Sequence, residues 1–184
     1  IYGLTTGYGD TVPRPVPTEL VSVLPLHLTR FHGCGLGADL ELDAARAVLA
    51  TRLCSLAQGV SGVSPALLER LCWLLEQDLV PRIPEEGSVG ASGDLTPLSY
   101  VAAVLVGERE LHQQGRLRPA AEVYRELGVT PLTLRPKEGL ALINGTQFST
   151  AYALAGLFGA WRAAQTALVV SALSTDAIMG STAP

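Results

Sequence analysis

The residues best suited to chemistry stand in one loop, Gly87-Ser88-Val89-Gly90-Ala91-Ser92-Gly93-Asp94. Glycines three apart permit backbone conformations that other residues avoid, and Ser92 and Asp94 add a hydroxyl and a carboxylate. Three common uses of a glycine loop fail on residue identity. A phosphate loop needs a lysine after its glycines, and none stands between Arg82 and Arg109. A nucleophile elbow needs G-x-S-x-G, and Asp94 occupies the place of the last glycine. A dinucleotide fingerprint follows a strand, whereas Pro81 and Pro84 break up the preceding segment. A plain flexible turn stays open on composition alone. Elsewhere, Tyr2 is a phenol whose pKa must come down from about 10 before it can act as a base near neutrality. Taken singly it reads as a surface tyrosine. Asn144-Gly145 is a common turn dipeptide, and His32 is a lone imidazole with no metal-ligand spacing to His27 or His112.

The elements that must position these residues read as helices. Leu20, Val21, Leu24, Leu28 and Phe31 recur at helical spacing from Thr18 onward, with Pro25 expected to kink or interrupt the helix. Asp43 is expected to cap a second helix with the stripe Ala45, Leu49, Leu53 and Leu56, stopped by Gly59 and Gly62. Ser64-Pro65 opens a third, carrying leucines from Leu67 to Leu79. Pro81 to Asp94 reads as loop and feeds a helix starting at Thr96-Pro97 and ending about Gly107. Between Glu108 and Pro136, Gly115, Pro119, Gly128 and Pro131 punctuate short pieces, with a helix over Ala120 to Leu127 and room for small strands. Phe148 to Leu173 is nearly continuously apolar.

Composition excludes several function classes. Thirteen basic against 17 acidic residues, with no long run of either sign, argue against nucleic-acid partners. Cys34, Cys54 and Cys72 form no C-x-x-C pair, so they are expected to be buried free thiols, with no metal site. No basic segment followed by a short apolar run opens the chain, which favours the cytoplasm. Ile1 in place of Met, and Pro184 after an apolar stretch, read as ends cut from a longer protein. The final apolar run is long enough for a bilayer, but Arg162 and Gln165 interrupt it, and a central arginine is costly in lipid. No membrane partner is expected.

The full string Gly87-Ser88-Val89-Gly90-Ala91-Ser92-Gly93-Asp94-Leu95-Thr96-Pro97-Leu98 closely resembles the signature of the histidine and phenylalanine ammonia-lyase family. Tyr2-Gly3-Leu4-Thr5-Thr6-Gly7-Tyr8-Gly9 is similar to its mobile tyrosine loop, and Lys137 to Gln147 to the stretch whose asparagine contacts the prosthetic group and substrate. The resemblance spans nearly the whole chain. It implies a mainly α fold like that of histidine ammonia-lyase. Residues 1–147 would form the domain bearing the prosthetic group, with small β pieces, and 148–184 the start of a long-helix bundle. It also implies that Ala91, Ser92 and Gly93 cyclise without an external cofactor into 4-methylidene-imidazol-5-one, MIO. The Gly93 nitrogen attacks the Ala91 carbonyl, and loss of two waters leaves Ser92 as an exocyclic methylene.

The family's other roles carry over by position. Asp94 would assist the proton movements of cyclisation, its alternative being a helix cap. Tyr2 would take the substrate β-proton; Phe31, His32, Leu95, Asn144 and Gln147 would hold the ring and substrate. His32 accompanies histidine or tyrosine substrates in the family, whereas Phe31 belongs to the apolar pair of phenylalanine enzymes, and Thr5-Thr6-Gly7-Tyr8 leans toward tyrosine. The expected activity is therefore elimination of ammonia from an aromatic amino acid by a homotetramer, or a tyrosine 2,3-aminomutase reaction. The family's carboxylate-binding arginine, second tyrosine and glutamate come later than Pro184, so these 184 residues alone are expected to be inactive. A catalytically incomplete helical interaction fragment and a membrane-attached helical protein are the readings from other classes.

Overall fold

Proline placement and apolar spacing set the helices of the computed structural model, which describes residues 1–91 and 93–181. Helix α1 spans Leu24–His32. Pro25 falls in its first turn, where a missing N–H costs nothing, so it starts this helix instead of kinking one begun at Thr18. Thr18–Leu20 makes only a 3-10 turn. Strand β1 (Leu36–Asp39) leads to α2 (Leu42–Leu56). Asp43 does not cap α2; it lies inside the first turn and pairs with Arg46 at 2.6 Å. The buried stripe of α2 is Ala45, Val48, Leu49, Arg52 and Leu56, so an arginine stands where Leu53 was expected. Helix α3 (Pro65–Glu76) begins at the expected Ser64-Pro65, though the Ser64 side chain makes no capping bond.

Pro81 to Asp94 is not all loop. It contains β2 at its start (Val80–Pro81) and β3 (Pro84–Glu86). Strand β3 pairs antiparallel with β1, while β2 joins the β4–β5 hairpin (Glu110–Gln113 and Arg116–Pro119) in a second antiparallel sheet of order β2-β4-β5. Each strand that contains proline is an edge, where a missing donor is tolerated. Helix α4 (Leu95–Leu105) is buried at every position from Pro97 to Leu105, as a helix apolar on all sides must be. The chain continues through α5 (Ala120–Glu126), α6 (Glu138–Ile143) and α7 (Gln147–Ala177). Helices α1 and α6 pack on α4, and α2 packs on α3. Leu49, Leu56, Leu71, Leu74, Leu98, Leu105 and Leu142 have no exposed surface. The cysteines are free, but Cys34 and Cys54 are exposed and Cys72 half-buried, so the expectation of burial fails.

Glu138 locks the start of α6 to the start of α3. Its buried carboxylate accepts the backbone N–H of Ser64 at 2.8 Å and that of Arg135 at 2.7 Å. Burial raises its pKa, but these backbone donors outweigh it and hold the group below the ordinary glutamate value. A depressed acid stabilises the fold fully above its unfolded pKa and loses that contribution as pH falls through the folded value. Glu138→Gln is therefore expected to cost about 1–3 kcal/mol near neutrality in urea unfolding, with the gap from wild type closing in strong acid. A gap independent of pH would refute the assignment.

Compact packing separates residues 1–151 from a second unit beginning at Tyr152. In that unit Leu157, Phe158, Trp161, Leu168 and Leu173 are exposed. The stretch Glu138–Ala177 is long and apolar enough to cross a membrane by length and composition.

Candidate functional site

The backbone of the glycine loop is pressed against the turn that follows α6. Gly93 has φ +95°, and a Cβ placed there would meet Asn144 Oδ1 and Gly145 N at 2.9 Å each, so only glycine fits. One residue on, the Asp94 N–H donates to Gly145 O at 2.6 Å. Asp94 is 1% exposed and stands at the cap position of α4, yet its carboxylate makes no bond to that helix. It accepts the Ser88 hydroxyl at 2.6 Å, and the Ser149 N–H and hydroxyl at 2.9 Å each. The carboxylate thus caps the first turn of α7, a favourable place for negative charge, and closes the loop from Ser88 onto itself. Ala91 is exposed. Ser92, expected to supply the eliminated hydroxyl, lies outside the described residues.

Beside this joint is a cavity of about 530 Å³ lined by Tyr2, Tyr8, Gly9, Thr11, Leu28, Phe31, His32, Leu95, Leu140 and Asn144. Five residues singled out in the sequence, Tyr2, Phe31, His32, Leu95 and Asn144, meet there, drawn from the opening loop, α1, α4 and the end of α6. The Gly9 N–H donates to the Tyr2 hydroxyl at 3.2 Å. Tyr8 packs edge-on to Tyr2 with ring centroids 6.1 Å apart. Burial first, then the charge of Tyr2, raises the Tyr8 pKa, so Tyr8 is held as a neutral phenol. Burial pushes the His32 pKa down, leaving a neutral imidazole at physiological pH with one donor and one acceptor. Phe31 crosses His32 edge-on at 5.1 Å and is itself largely exposed. Leu28, Leu140 and Thr11 were not foreseen as wall residues; the helical spacing of Leu28 marked it only as core. Another cavity, about 370 Å³ and lined by Gly35, Arg82, Pro84, Tyr100, Arg109 and Glu110, lacks these groups, and Arg82 is already paired with Asp39 and Glu110.

Gln147, expected at the ring or substrate, does not line the larger cavity. Its side-chain oxygen accepts a bond from Arg52 Nη1. Arg52 also donates from Nε to Leu142 O at 2.8 Å and from Nη2 to Ala141 O. It is 2% exposed, and burial brings its pKa down to about 10. Its only sequence signal is a cation on an apolar helix stripe.

Comparison with known proteins places these features in context. Residues 1–184 match the model of a family described as aromatic amino acid lyase. Histidine ammonia-lyase of Roseobacter denitrificans is 48% identical over the whole chain, which covers 36% of that relative. The crystal structure of a tyrosine aminomutase mutant superposes with a TM-score of 0.92 at 45% identity, over 100% of this chain and 34% of that one. Histidine ammonia-lyase from Trypanosoma cruzi gives 0.87 at 38% identity, over 98% and 35%. The mainly α fold with small strands is that of both structures. The chain spans little more than a third of the length of these relatives.

Proposed function

The chain belongs to the aromatic amino acid lyase family, and from that premise we propose that the full-length protein eliminates ammonia from an aromatic L-amino acid, histidine or tyrosine, to give the α,β-unsaturated acid. The reaction would use an MIO group formed from Ala91, Ser92 and Gly93. The observation that carries this reading is the close approach of Gly93 to Asn144 and Gly145, next to a cavity that holds a tyrosine and a neutral histidine. The residues fit the group. Glycine at 93 lets its nitrogen enter a tight turn, and the Asn144 amide lies against it. When formed, MIO supplies an electrophilic alkene that makes the substrate amine a better leaving group.

The chain's own residues supply the rest. Tyr2 takes the β-proton at its hydroxyl, and the Gly9 N–H donating to that oxygen orients it at the cavity wall. Leu28, Leu95 and Leu140 keep water from the reacting carbons. The N-terminus of α4 directs positive potential toward charge developing beside Gly93. In this reading the domain carrying the group, expected over residues 1–147, extends by packing to Ala151, and the start of a helical bundle follows. The exposed apolar side chains of α7 support assembly into a homotetramer.

A tyrosine 2,3-aminomutase is the second reading, favoured by the 45% identity to a tyrosine aminomutase. Turnover of histidine, tyrosine and phenylalanine by the full-length protein, followed by ultraviolet absorbance with products separated, distinguishes the two. Unsaturated acid supports elimination, and β-amino acid supports migration. Neither product from any of the three would overturn both readings. His32→Leu is expected to lower kcat/KM for the imidazole or phenol substrate by about tenfold to a hundredfold, the worth of one buried polar contact. Phenylalanine turnover should hold or rise. Unchanged selectivity would remove His32 from the specificity site.

A further inference from the structure

The joint between Gly93 and the Asn144-Gly145 turn is itself held from behind. Helix α2 grips the turn on both flanks. On the near side, Arg52 donates to Ala141 O and Leu142 O, carbonyls in the last turn of α6. On the far side, Arg52 Nη1 reaches Gln147 Oε1, while the Thr51 hydroxyl donates its one proton to the carbonyl of Ala47 in its own helix at 2.8 Å. The fit leaves no slack. A Cβ on Gly145 would fall 2.1 Å from Arg52 Nη1 and 2.0 Å from Gln147 Oε1. Arg52 is buried, and among the described residues its hydrogen-bond acceptors are these three oxygens, none of them a carboxylate. Removing a cation from water for carbonyl partners alone is costly, so its position calls for a return beyond stability.

We infer that Arg52 is a positioning residue for ring formation: through the 144–147 turn it holds the Gly93 and Asp94 backbone in the compressed geometry that cyclisation needs. The inference rests on the MIO reading above. In the step concerned, a bond forms between the Gly93 nitrogen and the Ala91 carbonyl carbon. The Ala91 oxygen leaves as water with the amide hydrogens of Gly93 and Ser92. The Ser92 hydroxyl then leaves as a second water with the hydrogen of its own Cα. No oxidant or reductant enters. The first bond requires an amide nitrogen to close on a neighbouring carbonyl, and a loop free to relax seldom does so. The planar guanidinium fork reaches three acceptors at once and fixes the turn, where an ammonium would satisfy fewer.

The test is the intact mass of the full-length protein, followed over time after expression, with circular dichroism and thermal melting beside it. Wild type is expected to lack the mass of two waters. R52M, which keeps the length and apolar stem, is expected to fold but to dehydrate about a hundredfold more slowly, the cost typical of a misplacement of roughly 1 Å. R52K should fall between. G145A, which forces Arg52 and Gln147 apart with both still present, should match R52M. Folded R52M or R52K losing both waters at the wild-type rate overturns the inference, even with a lower Tm, because the residue is then only structural. If R52M does not fold, R52K and G145A decide the matter by the same measure. Wild type carrying its full gene-encoded mass sinks the MIO reading itself, an outcome distinct from any behaviour of the variants.

Discussion

Ser92→Ala is expected to leave the full-length protein folded and to reduce turnover by at least about a thousandfold, equivalent to roughly 4 kcal/mol of barrier. The size follows from what the substitution removes. Between Ala91 and Gly93, Ser92 holds the one hydroxyl that elimination can expel, and alanine leaves a saturated methyl in its place. Without an electrophile, the amine remains a poor leaving group and the β-hydrogen is barely acidic, so Tyr2 acting alone cannot compensate. Folding should be spared, because the change removes one hydroxyl and adds no bulk to the loop. The measurements are kcat/KM, intact mass and Tm. Normal turnover by a folded Ser92→Ala protein would end the MIO mechanism here, whatever the family does. An Asp94→Asn protein is a useful companion, because it loses part of the Ser88 and Ser149 bonding and should lower Tm, which Ser92→Ala should not.

The contrast between these two residues marks what the sequence could and could not convey. Tyr2 and Asn144, singly a surface tyrosine and a turn residue, stood out only through stretches that resemble the lyase family, whereas the positive φ at Gly93 was legible because that need is local to a glycine loop. The helices were legible for the same cause, since spacing and prolines act over a few residues, and Ser64-Pro65 and Thr96-Pro97 both mark helix starts within a residue or two. Asp94 was readable as a cap, but of the wrong helix. Its partner Ser149 lies 55 residues on, at the start of α7, and no pattern near Asp94 announces it. Arg52 is the harder case. Its acceptors are 89 to 95 residues away, and two of them are backbone carbonyls, which every residue has. Apolar spacing points to Leu53 for the stripe, and a buried arginine breaks that rule. An arginine at the position due for a core residue is the one trace such a joint leaves.

The strands were obscured by proline. Pro81 and Pro84 argued for loop yet lie in edge strands of two very short sheets, and Pro119, in the stretch expected to hold small strands, closes another edge strand. Their pairing is decided by distant partners, as Leu36 with Glu86 and Val80 with His112 illustrate. These sheets matter to the site because the β1–β3 ribbon ties the segment after α1 to the segment before the glycine loop. His32, which lines the cavity, and Gly93, which abuts the cavity residue Asn144, are far apart in sequence, and the ribbon joins the segments that carry them.

Tyr2→Phe is the second large effect expected, a fall in kcat of about a hundredfold to ten-thousandfold, the usual contribution of a general base. The substitution is close to a clean deletion of one oxygen. The ring keeps its edge contact with Tyr8 and stays under the Lys137 ammonium, 5.9 Å from the centroid. The lost hydroxyl accepts a bond from the exposed Gly9 N–H, which water can satisfy. KM and Tm should therefore move little, and intact mass should not move at all, since ring formation makes no use of Tyr2. The competing base is Tyr8, on the same wall. Burial and the neighbouring phenol both raise its pKa, which disfavours the phenolate a base must offer near neutrality. Tyr8→Phe should accordingly cost far less than Tyr2→Phe. If the two costs are reversed, proton abstraction belongs to Tyr8, and the opening loop must close over the substrate in a different register from the one described. Exchange of the substrate β-hydrogen with solvent reads the same step without product release: it should vanish in Tyr2→Phe and survive in Tyr8→Phe.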